Sequence, residues 1–221
     1  MIRKDIIVLI TRKLPEKIEK KLKENFNVIF NKTDKKLSYL ELKKKISEVD
    51  ILIPCVSDTI DASIIKSAKK LKLIANFGNG VDNLDLVTAR EENVIVTNTP
   101  DVLTEDTADL VLTLVLMISR KVVEAQKKIS GGRWSGWGPS ETMGERIRGK
   151  NFGIIGMGRI GKAVVKRLNI LGVKIFYHNR NRLQKNEEKV LKAKYFENLD
   201  LMITHCDIVS IHCPYTPETF H

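Results

Sequence analysis

Apolar residues along the first hundred positions gather in short runs that alternate with longer amphipathic segments. Ile6–Ile10 is a continuous apolar run of strand length. Pro15 suits a first helical turn, and Ile18, Leu22 and Phe26 mark one helical face behind it. Val28–Phe30 reads as the next strand. Ser38-x-x-Glu41 has the spacing of a capping box, in which side chains at both ends satisfy backbone N–H groups. It opens a helix whose inner face is Leu42, Ile46 and Val49. Ile51–Ile53 is a strand that Pro54 stops, and Asp61 caps a helix through Ile64, Ile65, Ala68 and Leu71. The strand Leu73–Phe77, a short helix over 84–92 and the strand Val94–Thr97 complete the series. Strand–helix units without hairpin signals predict a parallel sheet covered on both faces.

The first part, residues 1–98, therefore reads as a small doubly wound α/β domain of flavodoxin-like type. Thr99-Pro100 breaks the alternation, and a long helix is predicted from about Thr104 to Ser130. Its middle is apolar on nearly every side, from Leu110 to Ile118, which predicts burial between two domains or two subunits. Gly131–Gly144 follows, rich in glycine and carrying Trp134 and Trp137; it reads as a contact surface or as a loop folded on its own domain. Residues 99–149 are thus an inter-domain or dimerisation segment.

From residue 150 the pattern changes. An apolar strand, Phe152–Ile155, runs into Gly156-Met157-Gly158-Arg159-Ile160-Gly161, then a helix over 159–171 and a strand over 173–177. In that strand–turn–helix context each glycine has a physical task. Gly156 allows a sharp turn, Gly158 allows close approach to a pyrophosphate, and Gly161 allows the helix to pack on the sheet with its positive end toward the phosphates. A basic stretch (Asn179 to Lys194), a helix-like Leu199–His205 and the strand Ile208–Ile211 follow. This second domain, residues 150–221, reads as a Rossmann dinucleotide-binding domain that is incomplete. Such a sheet has two halves, and the fourth strand would be left as an unpaired apolar edge.

Composition refines this picture. At 221 residues, 43% hydrophobic and 29% charged, the chain reads as a soluble cytoplasmic protein without a membrane span. Charges at Arg3, Lys4 and Asp5 argue against a signal peptide. Three cysteines, Cys55, Cys206 and Cys213, read as reduced thiols, and no metal site is expected. The net charge of +11 lies on lysine-rich helix faces without interleaved aromatics, so a solvated surface is preferred to a nucleic-acid site.

Cofactor choice turns on the end of the second strand, Tyr177-His178-Asn179-Arg180-Asn181-Arg182. An NAD site commonly has a carboxylate here for the ribose 2′-hydroxyl. None is present, and two arginines can bind a 2′-phosphate, so NADP(H) is expected ahead of NAD(H). Arg159 either contacts the pyrophosphate or is exposed.

Four stretches resemble the D-isomer-specific 2-hydroxyacid dehydrogenase family, and within it the glyoxylate/hydroxypyruvate reductases. They are Ile74–Asn83; Thr97–Thr104 with Thr107–Leu110; Gly153–Gly161; and Cys206–Pro214 with Thr216–Thr219. The resemblance spans the whole chain. It implies an NAD(P)H-dependent reduction of a small 2-ketoacid such as glyoxylate or hydroxypyruvate, by a homodimer. It implies that Asn79 and Gly80 bind substrate, and that Thr107, His212, Cys213, Pro214 and Thr219 lie at the cofactor with the glycine turn. Trp137 would help to form the neighbouring subunit's active site. The family's catalytic Arg, Glu and His follow the fourth strand, past His221, so no catalytic residue is assigned here and the chain as given is expected to be inactive. The alternative is a non-enzymatic dinucleotide-sensing protein, like the corepressors of this fold.

Overall fold

In the computed structural model, which describes residues 3–216 and 218–220, the chain folds as two units, Met1–Val102 and Leu103–His221. The first contains β1 (Arg3–Ile10), α1 (Glu16–Asn25), β2 (Phe26–Ile29), α2 (Tyr39–Ile46), β3 (Ile51–Ile53), α3 (Ala62–Ser67), β4 (Leu73–Ala75), α4 (Leu86–Glu91) and β5 (Ile95–Thr97). Its strands pair in the order β2-β1-β3-β4-β5, all parallel, which is the flavodoxin-type order. The helices start where the caps place them. Ser38 and Glu41 form the capping box of α2, and the Asp61 and Asp85 carboxylates accept from Ile64 N and Thr88 N, each at 2.9 Å. On one side of the sheet Leu9, Ile46, Leu52, Ile64 and Ile74 form a core; Val8, Ile10 and Leu14 anchor a smaller one.

Phe26 departs from expectation. It leaves α1 in an extended conformation and begins β2, because its ring packs with the Val8–Ile10 cluster instead of continuing the helical face.

The second unit contains α5 (Thr104–Ser119), α6 (Val122–Ser130), β6 (Asn151–Ile155), α7 (Arg159–Ile170), β7 (Lys174–His178), α8 (Lys185–Leu191), β8 (Ala193–Tyr195), α9 (Leu199–Thr204) and β9 (Ile208–Ile211). Its parallel sheet has the order β8-β7-β6-β9. The predicted helix over 104–130 is two helices, since Lys121 takes a left-handed φ of 51° and separates α5 from α6. Within this single chain α5 is covered on one face. Ala108 and Val115 pack in the core with Val164 and Leu168 of α7, and Arg167 ties the two helices through Glu105 (2.8 Å) and Asp109 (2.6 Å). One neighbouring helix covers one face only, so Leu110, Leu114 and Ile118 are exposed.

In the basic stretch 179–194 and the residue after it lie α8 and β8, neither of which the sequence pattern predicts. Their pattern is too short and polar to show a period, and only Leu191 and Ala193 are buried. β9 forms an edge of the sheet among the described residues, with Val209 and Ile211 exposed.

Candidate functional site

Both sheets present loops at the carboxyl ends of their strands, where open α/β sheets bind ligands. In the second unit the loop after β6 is the glycine turn. Gly156 has φ +96°, and a Cβ there would stand 2.5 Å from Cys213 N and 2.7 Å from His212 C. Only glycine fits where β6 meets the end of β9. A Cβ at Gly161 would stand 2.7 Å from Gly156 O, so this glycine sets the closeness of α7 to the turn. Gly158 differs from both. Its φ is ordinary, and a Cβ would meet no protein atom within 4 Å. The space before the α7 N-terminus is therefore open, and the protein itself gives no steric reason for a glycine there. That combination fits a pyrophosphate held against first-turn N–H groups, which have no partner within the helix.

The turn after β7 reaches the same place. Asn179 Oδ1 accepts from Met157 N at 2.6 Å, and Gly156 N donates to His178 O at 3.0 Å. Arg180 and Asn181 are exposed. Arg180 makes no hydrogen bond or salt bridge among the described residues; its charge contributes to lowering the Glu218 carboxyl, chiefly held down by the Thr216 side chain. Arg182 is engaged: its Nε and Nη2 each donate to Glu188 at 2.8 Å, and its guanidinium lies 5.2 Å from the Tyr195 ring centre.

Beyond β9, His212 N donates to Ile155 O at 2.7 Å, and Cys213 backbone abuts Gly156. His212 Nε2 pairs with Ser210 Oγ at 2.9 Å, and burial lowers its pKa. Thr219 Oγ1 donates to Pro214 O and accepts from Thr216 N, each at 2.7 Å, closing a turn; Pro217 of that stretch lies outside the described residues. The structure thus brings together the glycine turn, Asn179 and the 212–213 backbone. Thr107 is half-buried on the first turn of α5. Trp137 is 87% exposed on the loop between α6 and β6.

In the first unit, Asn79 and Gly80 lie on the loop after β4. This loop is held from behind: Asn76 Nδ2 donates to Gly80 O at 2.9 Å and to Asn83 Oδ1 at 3.2 Å, and Asn98 Nδ2 donates to Asn79 O at 2.8 Å. Asn79 Oδ1 is buried without a hydrogen-bond partner among the described residues. A buried unpaired acceptor costs about 1–3 kcal/mol, which a ligand can relieve. Phe77 and, on the neighbouring loop after β3, Val56 are exposed beside it. Sequence reasoning misses Asn76, Asn83 and Glu188. Single polar residues carry no period, and their partners are 7 and 6 positions away.

The family described as "D-isomer specific 2-hydroxyacid dehydrogenase, NAD binding domain" matches residues 112–221. Among curated proteins, the glyoxylate reductase of Thermococcus litoralis is 38% identical over 218 residues, covering 97% of this chain and 65% of the relative. The chain thus spans just under two-thirds of the length of such relatives. Among solved structures, the TT0316 protein of Thermus thermophilus is 40% identical with a TM-score of 0.88, covering 97% of this chain and 67% of that one. A structure from Polaromonas sp. JS6 66, described as a putative D-isomer specific 2-hydroxyacid dehydrogenase, NAD-binding, is 33% identical with a TM-score of 0.88 over 96% of this chain and 66% of that one.

Proposed function

The chain belongs to the D-isomer specific 2-hydroxyacid dehydrogenase family, and from that premise we propose that the whole protein is an NAD(P)H-dependent reductase of a small 2-ketoacid, glyoxylate or hydroxypyruvate. The observation that carries this reading is Gly158. A glycine that no protein atom requires, facing open space at a helix N-terminus, is explained by a ligand.

In this reading a bound nicotinamide dinucleotide supplies a hydride from its C4. Backbone N–H groups of Arg159, Ile160 and Gly161 bind and orient the pyrophosphate, which Gly158 leaves room to approach. Arg180, with Asn179 and Asn181 beside it, faces the adenosine ribose, and its uncommitted charge favours a 2′-phosphate, hence NADP(H) ahead of NAD(H). The His212–Pro214 backbone and Thr219 line the nicotinamide side, and Thr107 stands near it. His212, neutral through burial, orients and does not donate the proton. In the first unit, the Asn79–Gly80 loop receives the ketoacid carboxylate and carbonyl with backbone donors. The arginine that polarises the ketoacid and the Glu-tuned His that protonates it are assigned to segments after His221.

Residues 1–98 serve as substrate domain, 99–149 as dimerisation segment and 150–221 as cofactor domain. The exposed Leu110, Leu114 and Ile118 of α5 support a homodimer, with Trp137 reaching the neighbour's site. The free cysteines suit a cytoplasmic protein. No helix among the described residues is long and apolar enough to cross a membrane.

Titrating the 221-residue chain with NADPH and NADH, followed by nicotinamide fluorescence, tests the reading. Saturable binding of NADPH, tighter than NADH, without oxidation on adding glyoxylate is expected. Absence of binding to either dinucleotide by a folded chain overturns it.

A further inference from the structure

The β7–α8 turn carries two arginines of opposite status. Glu188 reaches back from the first turn of α8 and takes both Nε and Nη2 of Arg182 in a bidentate pair at 2.8 Å. The same carboxylate is fixed in place: Glu188 Oε1 accepts from Tyr177 Oη at 2.7 Å, and Tyr177 is fully buried. Tyr177 Oη in turn accepts from Leu183 N at 3.1 Å, which pins the turn's far end. The Tyr195 ring under the Arg182 guanidinium completes the clasp, and Tyr195 Oη donates to Asn179 O at 3.3 Å, at the turn's near end. Arg182 is thereby drawn toward α8 and β8, where it lines a depression with Lys185, Lys189, Lys194 and Tyr195. Arg180, two residues earlier, has no such clasp.

Resting on the dinucleotide-binding reading above, we propose that Glu188 is a specificity-determining positioning residue that withdraws Arg182 from the 2′-position of the adenosine ribose and leaves Arg180 as the guanidinium this turn presents there. A guanidinium whose Nε–Nη2 edge is taken by a carboxylate keeps only its Nη1–Nη2 edge for a phosphate, with its charge offset and its position fixed against α8. Preference for a 2′-phosphate is therefore set below what two arginines would give, and the arginine count of this turn overstates its selectivity. The clasp also explains why a basic, glycine-free turn keeps one shape: a buried hydroxyl, a carboxylate and an aromatic face each hold a different part of it.

The test compares binding of 2′,5′-ADP and 5′-AMP to the 221-residue chain by calorimetry, so that the ratio of affinities isolates the 2′-phosphate. Glu188→Gln is expected to raise the ratio about tenfold, as one added charge-assisted contact would. The double variant Glu188→Gln with Arg182→Met is expected to return the ratio to the parent value. Glu188→Asp keeps the charge but shortens the reach; a raised ratio is expected there too, and this variant carries the test should Glu188→Gln fail to fold. Arg180→Met should abolish the preference in the parent chain. An unchanged ratio in folded Glu188→Gln or Glu188→Asp overturns the proposal, as does a double variant that keeps the gain, which would make the effect one of field alone. A parent chain that binds neither nucleotide overturns the dinucleotide-binding reading and this inference together, whereas binding with unmoved ratios overturns only the inference.

Discussion

The loop after β4 in the first unit and the turn after β7 in the second do equivalent work at the carboxyl edge of a parallel sheet, yet they are held by different chemistry. In the first unit the holders are neutral amides: Asn76 and Asn83 bond each other, Gly80 O and Cys55 O. In the second they are charges anchored on a buried phenol, with Glu188 gripping Arg182 and Tyr177, and Lys162 pairing with Glu187 at 2.5 Å beside them. The glycine turn between strand and helix is held by close backbone packing and by neutral hydrogen bonds, Met157 N donating to Asn179 Oδ1 and Gly156 N to His178 O. Amide pairs are indifferent to pH and nearly so to salt, while charge pairs respond to both. The surface that would meet a carboxylate is thus built from neutral groups. The one that would meet phosphates is built from positive charge that the protein itself partly cancels.

The largest effect is expected at the steric site. Gly156→Ala places a Cβ against backbone of Cys213 and His212 at a positive φ, and should destabilise the second unit by about 3 kcal/mol. Hydrogen exchange should show lost protection in β6, β7 and β9 with β1–β5 unaffected; equal loss in both units would break the comparison. Gly158→Ala sharpens it. Its Cβ meets no protein atom, so thermal stability should fall by no more than about 1 kcal/mol, the cost of Ala at a helix N-cap. NADPH affinity should nevertheless fall at least about tenfold, the loss of about 1.4 kcal/mol in binding. Unchanged affinity would remove the observation on which the cofactor reading rests.

In the first unit, Asn83→Ala should cost about 1–2 kcal/mol by leaving the buried Asn76 Oδ1 without the Asn83 donor. The loss should be the same at pH 5 and pH 8; a pH-dependent loss would show that charge, not amide pairing, holds that loop. The smallest effect lies in the acid limb of the second unit. Arg182 first, then Tyr177, hold the Glu188 carboxyl down to about 2 against an ordinary 4.5. Because the folded value is depressed, its stabilisation is complete above about pH 4.5 and is lost as the pH falls toward 2. Glu188→Gln should flatten unfolding midpoints over that window in the second unit alone. Burial, and then Glu188, push the Tyr177 phenol up to about 12, so stability from this group is lost as the pH rises from 10 to 12.

Much of this architecture is legible in the chain. Apolar runs of strand length, the Ser38–Glu41 box and the Asp61 cap place the elements of the first unit to within a few residues. They do so because caps and periodicities are local signals, read over a turn or two. The glycine spacing locates the turn after β6 for the same reason. The basic stretch 179–194 is not legible in this way. Its short helix and three-residue strand bury two side chains, and the period that would announce them is missing. The apolar helix over 104–130 misleads in the opposite direction. Composition suggests one unbroken rod, whereas Lys121 in a left-handed conformation divides it into α5 and α6.

The sequence by itself determined two parallel sheets, the order of their elements outside the 179–195 stretch and the position of the phosphate-type turn, since each follows from neighbouring residues and their backbone preferences. Only the tertiary structure decided what the polar residues do. It separated Gly156 and Gly161, which backbone contacts demand, from Gly158, which none does. It paired Arg182 with Glu188 and left Arg180 open, and it joined Asn76 to Asn83 beneath a loop that presents Asn79. Hydrogen bonds and ion pairs depend on distances that no local period sets, and those distances exist only once the apolar pattern has folded.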